Sequence, residues 1–277
     1  FRPAAYGTEK FMDYGFMEAM MRSTTLPARD LWYSEGHINY YYGGQYFAVF
    51  LTKLSHTKVE LTYNLMRTFV AGLAFAMPFS LVYQMMSDRM KGQQKSEKVI
   101  KGLPFAAGFT AGTAVSIAGN MHYVIYAQII PLIEKLTGKE VSSYWFPDAT
   151  RYIGYNPYRE EDRTIHEFPC YSFVLGDLHA HVVNIMFVLL VIALLYVWLR
   201  GVRKKTVPVE TSMKDGKFWK EQLLMPHLLV ISVLLGMFQW TNFWDFVIYY
   251  VVTLGTVLFA NIIRFQGKIK KIMVVTF

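Results

Sequence analysis

The stretch His166–His181 reads HEFPCYSFVLGDLHAH and continues directly into VVNIMFVLLVIALLYVWL at Val182–Leu199. The second segment carries no charge and is long enough to predict a membrane-spanning helix. The first segment crowds carboxylates and imidazoles against the start of that helix. An extended backbone places Asp177, His179 and His181 on one face, whereas a helix stacks Asp177 on His181. The plainer interpretation is a polar helix cap at the lipid headgroups.

The composition of the whole chain is that of a membrane protein. Of its 277 residues, 53% are hydrophobic and only 17% are charged, below the usual quarter. A single cysteine, Cys170, excludes an internal disulfide and a cysteine-based zinc site. Because the chain starts at Phe1 and stops within the apolar run 272–277, we expect it to be a piece of a longer protein, with sequence missing at both ends.

Five apolar segments have the character of membrane spans. A further apolar stretch, Tyr40–Leu54, covers only ~22 Å as a helix, against a hydrocarbon core of ~30 Å. We expect it to be a juxtamembrane helix that lies along or dips into the outer leaflet, where tyrosine rings are favoured. The second span is rich in small residues, which suit close helix contact. The five predicted spans are Leu61–Met86, Gly102–Gly119, Val182–Leu199, Leu223–Trp240 and Phe246–Ile263.

Lysine and arginine divide the remaining segments into two sets. The basic loops are 88–101, 200–222 and 264–272, with 16 lysines and arginines in 46 residues. The other set is 1–61, 120–180 and 241–245, with 11 in 127 residues and most of the acidic residues. The positive-inside rule places the basic loops in the cytoplasm. The net charge of +8 is therefore a topology signal, and nucleic acid is not an expected partner.

The sequence thus predicts an all-α integral membrane protein with two large extracytoplasmic loops that could close over one site. Its predicted parts are an outer loop with juxtamembrane helices (1–61), two spans with a cytoplasmic loop (62–119), a second outer loop (120–181), and three spans with the start of a further one (182–277).

Short motifs in both outer loops carry a resemblance to a known family. They are Glu9-Lys-Phe-Met-Asp13, Trp32, Ile38-Asn-Tyr-Tyr-Tyr42, Asp148-Ala-Thr-Arg151, Glu167-Phe-Pro169, Gly176-Asp-Leu-His179 with His181, and Asn242 with Trp244-Asp245. Over nearly its whole length the chain resembles the YYY family of multi-pass membrane proteins, domain of unknown function 2298, found in bacteria and archaea. It departs at Ala180 and Val247, where the family usually has proline. The resemblance implies a multi-pass protein of the cell membrane.

The YYY family in turn resembles the GT-C superfamily of membrane glycosyltransferases. Those proteins carry an acidic catalytic residue in a large first outer loop, and a second outer loop completes the site. The resemblance implies a GT-C-like bundle that moves a sugar from a polyprenyl-phosphate-linked donor to an acceptor outside the cytoplasm. Its implied partners are that donor and the lipid bilayer. Where oligosaccharyltransferases have a later acidic motif, this chain has Asn120 and His122.

Sugar transfer needs a carboxylate that accepts the proton of the acceptor hydroxyl. We favour Asp13 as this base because it precedes an apolar helix face, and Glu9, four residues earlier, is the close alternative. Acidic residues at a helix start are also common without any catalytic role. Glu167 and Asp177 are further candidate catalytic carboxylates.

The departing phosphate needs cations or hydrogen-bond donors. Arginine binds phosphate bidentately, which favours Arg151; for Arg67, near the end of a span, snorkelling toward the headgroups is the plainer interpretation. The candidate donor-binding and phosphate-binding residues are Arg151, Arg67, Asn39, Tyr40, Asn120, His122, Asn242 and Asp245.

Two other functions compete with sugar transfer. Asp177, His179 and His181 could hold a divalent metal, with Glu167 as the base of a membrane metallohydrolase. A transporter or flippase would need polar residues at the bilayer midplane and broken helices, but Arg67 is the only charge within the predicted spans and lies near an end. A scaffold protein would not account for the polar residues of both outer loops.

Overall fold

A computed structural model describes residues 9–93, 96–155, 157–204 and 213–277, so parts of both outer loops and of two basic loops lie outside the described residues. Within the described residues every regular element is helical. The helices are α1 (Lys10–Arg22), α2 (Gly43–Leu54), α3 (Val59–Met90), α4 (Glu97–Ser116), α5 (His122–Val124), α6 (Ile130–Leu136), α7 (Pro169–Leu175), α8 (Ala180–Lys204), α9 (Gly216–Leu223), α10 (Pro226–Thr241), α11 (Phe243–Arg264) and α12 (Ile269–Thr276).

Three helices, α3, α8 and α11, are long and apolar enough to cross a membrane. The pair α9 and α10 is bent by 51° and makes a fourth if it acts as one span. The predicted span Gly102–Gly119 falls mostly within α4, which does not reach the hydropathy of a span. Its glycine, threonine and serine residues add little hydropathy, and its first turns carry Glu97, Lys98 and Lys101.

The small residues of α4 serve the close helix contact that the sequence predicts. A Cβ atom on Gly108 would lie 2.8 Å from the carbonyl oxygen of Phe79, and one on Gly112 would lie 2.9 Å from that of Phe75. The two glycines are one turn apart and face α3. The predicted close packing of this segment is therefore confirmed.

Helix α2 is short and is packed against other helices. Its twelve residues extend ~18 Å, less than the thickness of a bilayer core. A Cβ atom on Gly44 would lie 2.9 Å from Cβ of Val183 in α8, and one on Gly43 would lie 2.9 Å from Cγ2 of Thr241 in α10. Glycine at both positions lets the start of α2 approach two later helices.

One hydrophobic core brings the first and second outer loops together. It combines side chains of α1 and α2 with α3 and with the beginning of α8, including Met17, Val49, Val70 and Val183. Helix α11 lies outside this core, and only 11% of its most apolar stretch is buried. Its exposed apolar surface fits contact with lipid.

Candidate functional site

Asp13 lies at the centre of a polar cluster between α1, α2 and the segment that precedes α8. Its side chain is 0% exposed. Gln45 donates through Nε2 to Asp13 Oδ1 at 2.9 Å and to the carbonyl oxygen of Leu178 at 2.9 Å. Gln45 therefore joins both outer loops. Sequence reasoning missed it, although a lone amide in the apolar stretch Tyr40–Leu54 was an available signal.

The imidazole of His179 lies between two carboxylates of the first loop. Its Nδ1 atom is 3.6 Å from Asp13 Oδ2, and its Nε2 atom is hydrogen-bonded to Glu9 Oε2. Glu9 and Asp13 are four residues apart at the start of α1, so both face the same histidine. The sequence predicted that the two outer loops could close over one site, and these contacts bring Glu9 and Asp13 of the first loop to His179 of the second.

The proton affinities of the cluster follow from its burial. Burial raises the pKa of Asp13 from 3.8 to about 6, although His179 and Gln45 act in the opposite direction. Burial also disfavours the imidazolium of His179, but the charges of Asp13, Glu9 and Asp177 outweigh it and raise the pKa of that imidazole. A buried carboxylate and a neighbouring imidazole whose pKa values are both raised are a frequent feature of catalytic sites.

The cluster has one buried end and one open end. The Glu9 side chain is 65% exposed, whereas Asp13 is fully enclosed. Solvent therefore reaches the carboxylate of Glu9 but not that of Asp13, and His179 connects the two groups.

A second carboxylate–imidazole pair lies beside the first. Glu167 Oε2 is 3.1 Å from His181 Nε2, and the rings of His179 and His181 are 5.8 Å apart. The hydrogen bond to His181 lowers the pKa of Glu167 despite partial burial. Burial and the charges of nearby carboxylates, Glu167 among them, raise the pKa of Tyr40. Tyr40 therefore borders the cluster, and the neighbouring Asn39 is exposed.

Arg67 is buried at 4% exposure and packs against the end of α7. Helix α7 ends at Leu175 and is capped by Gly176 with φ = 80°, a left-handed conformation that favours glycine. A Cβ atom there would lie 1.8 Å from Arg67 Nη2, and Nη1 of Arg67 donates to Asn64 at 2.8 Å. The snorkelling interpretation of Arg67 is therefore wrong, because the guanidinium supports the loop that presents Asp177.

The predicted metal ligands Asp177, His179 and His181 do not converge. Among the described residues, no three His, Cys, Asp or Glu side chains are arranged to hold a metal ion. Helix α8 begins at Ala180, between the two histidines, so their rings turn to different partners. His179 contacts Asp13 and Glu9, whereas His181 contacts Glu167.

Asn242 and Asp245 belong to a separate network between α8, α10 and α11. Asn184 of α8 donates to Asp245 Oδ2 at 2.6 Å and accepts from the hydroxyl of Thr241 at 2.8 Å. Asn242 also donates to Asp245 Oδ2, at 2.9 Å. The structure therefore places these two predicted phosphate ligands in contacts between helices. Asn184, within a predicted span, was missed by sequence reasoning.

The remaining candidates lie in the second outer loop. The π-helical turn Ile125–Ile129 joins α5 to α6, so residues 122–136 form one continuous helix. His122 and Arg151 line a cavity between this helix and the short 3-10 helix Phe146–Thr150. Asn120 donates to the carbonyl oxygen of Ala149 at 2.6 Å and so ties the two helices together.

The chain was compared with known proteins. No curated protein and no solved structure is significantly similar to it. The sequence model of one family, described as "Uncharacterized membrane protein (DUF2298)", matches residues 1–274. This match covers nearly the whole chain and confirms the resemblance to domain of unknown function 2298. The chain therefore belongs to this family of uncharacterised membrane proteins.

Proposed function

We propose that this protein is a GT-C-like glycosyltransferase that moves a sugar from a polyprenyl phosphate to an acceptor on the extracytoplasmic side. The observation that carries the proposal is the row Asp13–His179–Glu9, in which a buried carboxylate, an imidazole and an exposed carboxylate are in contact. The residues come from both outer loops, as a site shared by those loops requires.

The topology proposed with this function has five spans, formed by α3, α4, α8, α10 and α11. The basic loops then face the cytoplasm and the cluster faces outside, in the cell membrane of a bacterium or archaeon. The support is the distribution of lysine and arginine and the shortness of α2. Position 214 in the second basic loop tests it: a cysteine there, on a Cys170→Ala background, should stay unlabelled by an impermeant reagent in whole cells. Ready labelling would overturn this orientation.

In the proposed reaction the acceptor oxygen forms the new bond to the anomeric carbon while its proton passes to a carboxylate. The bond from that carbon to the phosphate oxygen breaks, and its electron pair leaves with the polyprenyl phosphate. Glu9 is the carboxylate that a substrate reaches, so its exposure favours the alternative to Asp13 as base. Asp13 then acts as a positioning residue whose charge raises the pKa of the His179 imidazole.

Arg151 is the proposed phosphate-binding cation. It is partly exposed, whereas Arg67 is buried against Gly176. The charge of Arg151 acts on Glu167 and thus reaches the edge of the cluster. A guanidinium there would stabilise the negative charge that develops on the departing phosphate.

Purified full-length protein in lipid nanodiscs, supplied with a panel of polyprenyl phosphate sugars, tests the function. We expect release of polyprenyl phosphate with at least one sugar and a large loss of that release in the Arg151→Gln variant. Lys139→Gln, which removes an exposed cation of the same loop, is the matched control. Intact donor across the whole panel, with folded protein, would overturn the proposal.

A further inference from the structure

The cavity in the second outer loop is large and mostly aromatic. Its volume of about 890 Å³ is in the range of small-molecule sites. Six rings line it: His122, Tyr126, Tyr144, Trp145, Tyr152 and Tyr155. Such a lining offers flat apolar faces and several hydroxyl groups to a ligand.

The rings are held in place by contacts with one another. The His122 ring stacks on Tyr126 with centroids 4.4 Å apart, and its Nδ1 atom lies 3.1 Å from the hydroxyl of Tyr144. Tyr152 stacks on His166 at 5.4 Å from the other side. Tyr126 also sits in the π-helical turn, a rare element that is frequent at functional sites. The faces of the cavity are therefore fixed before a ligand arrives.

The cavity carries one positive and one negative side chain, which together disfavour small charged ligands. Arg151 lies over the ring of Trp145, with Cζ 5.0 Å from the centroid, and Asp148 also lines the cavity. Arg151 would repel an organic cation, and Asp148 weakens the attraction of Arg151 for a small free anion. A neutral ligand with many hydroxyl groups uses both, because the guanidinium donates and the carboxylate accepts.

A sugar ring has this chemistry. Its hydroxyls match the charged groups, together with the hydroxyls of Ser142 and Ser143, and its C–H face packs on an aromatic ring whose face is electronegative. Aromatic side chains also gather at membrane interfaces without binding sugar. That role needs no concave site and no opposed charges beside the rings, and this cavity combines the rings with Arg151 and Asp148.

We propose that this cavity binds a neutral sugar unit. The cavity adjoins the cluster: the backbone N–H of His166, next to Glu167, donates to the carbonyl oxygen of Thr150, next to Arg151, at 3.0 Å, and Glu167 contacts His181. That the bound sugar takes part in glycosyl transfer rests on the proposed function. That the cavity binds a sugar does not.

Binding is measured on the full chain in nanodiscs by saturation-transfer NMR. The probes are the methyl glycosides of glucose, mannose, galactose and N-acetylglucosamine. Trp145→Ala removes a ring of the cavity, and Trp244→Ala is the matched control, because Trp244 is also an exposed tryptophan but lies at the start of α11, away from the cavity. We expect saturable binding of at least one glycoside to the wild type and to Trp244→Ala, weaker by tenfold or more in Trp145→Ala and restored in part by Trp145→Phe.

Three results would overturn the proposal: no binding of any glycoside to the wild type, equal binding by Trp145→Ala, or binding of tetramethylammonium or inorganic phosphate in preference to the sugars. Hydrolysis of polyprenyl phosphate sugar then distinguishes the source of the sugar unit. Slower hydrolysis by Trp145→Ala assigns the cavity to the donor, and unchanged hydrolysis assigns it to the acceptor. Glycoside binding without any hydrolysis by the wild type would reject the glycosyltransferase and leave the sugar site standing.

Discussion

Two groups of buried polar side chains join distant parts of this chain, the cluster around Asp13 and the network around Asn184. In the network both polar side-chain atoms of Asn184 are hydrogen-bonded: Nδ2 donates to Asp245, and Oδ1 accepts from Thr241. In the cluster Asp13 Oδ2 and His179 Nδ1 face each other at 3.6 Å without a hydrogen bond among the described residues. Buried polar groups are normally hydrogen-bonded, so the cluster is the exception.

This difference separates a structural role from a functional one. A satisfied amide network stabilises three helices in one arrangement and has little capacity to accept another partner. An incompletely bonded carboxylate with a raised pKa costs stability, and such costs concentrate at functional sites. The same contrast predicts how variants in the two groups should differ.

The largest expected effect is on catalysis at the open end of the cluster. Glu9→Gln removes the exposed carboxylate, and loss of a proton acceptor typically slows a reaction by ~10²–10⁴. We expect a fall of that order in kcat for sugar release from polyprenyl phosphate. Asp245→Asn, a carboxylate change in the network, should alter kcat by no more than a few-fold. Similar kcat values for Glu9→Gln and the wild type would exclude Glu9 as the base.

The next effect is on the free energy of unfolding, which a substitution in the network should lower and one in the cluster should not. Asn184→Ala leaves Asp245 and Thr241 with fewer partners and should cost about 1–3 kcal/mol. Asp13→Asn keeps the shape and removes the buried charge, so at pH 8 it should be at least as stable as the wild type. Thermal unfolding in nanodiscs measures both. A larger loss for Asp13→Asn than for Asn184→Ala would reverse the assignment of the two groups.

The sequence was enough to predict that the two outer loops meet, but not which buried side chains form the hydrogen bonds between distant segments. Charge counts placed Glu9, Asp13 and His179 on one side of the membrane, and their residue types indicated chemistry. Gln45 and Asn184 are single amides in apolar stretches, and no periodic pattern marks them. Their roles depend on which helix packs opposite, which is tertiary information.

The wrong predictions have local causes. The metal set assumed one backbone conformation through Asp177–His181, but α8 begins within that stretch and separates the histidines. The snorkelling of Arg67 assumed a free span end, but Gly176 leaves room for the guanidinium inside the protein. Both predictions considered one segment of the chain alone and left out the helices and loops that pack against it.

An effect of similar size should appear in the pH dependence of stability. The pKa of Asp13 is raised from 3.8 to about 6 in the folded protein, so between these values the folded state binds the proton more tightly than the unfolded state. Stability from this group is therefore greatest below pH 4, falls as the pH rises to about 6, and is constant above that. Each pKa unit corresponds to about 1.4 kcal/mol.

Melting curves from pH 4 to 8 should show this decline in the wild type and a flatter profile in Asp13→Asn. Asp245→Asn keeps Asp13 and should retain the wild-type slope. A wild-type protein that becomes more stable between pH 4 and 6 while Asp13→Asn does not would contradict the raised pKa.

The smallest effect is expected at Glu167 and His181, whose side chains are 28% and 47% exposed. Solvent screens such a pair, and exposed ion pairs contribute at most about 1 kcal/mol to stability. Glu167→Gln should therefore lower the melting temperature less than Asn184→Ala does, even though Glu167 adjoins the cluster. The comparison needs only the melting curves of the two variants at one pH. If Glu167→Gln proved the more damaging of the two, the pair would be holding the second loop in place, and exposure would no longer distinguish the structural polar groups of this protein from the functional ones.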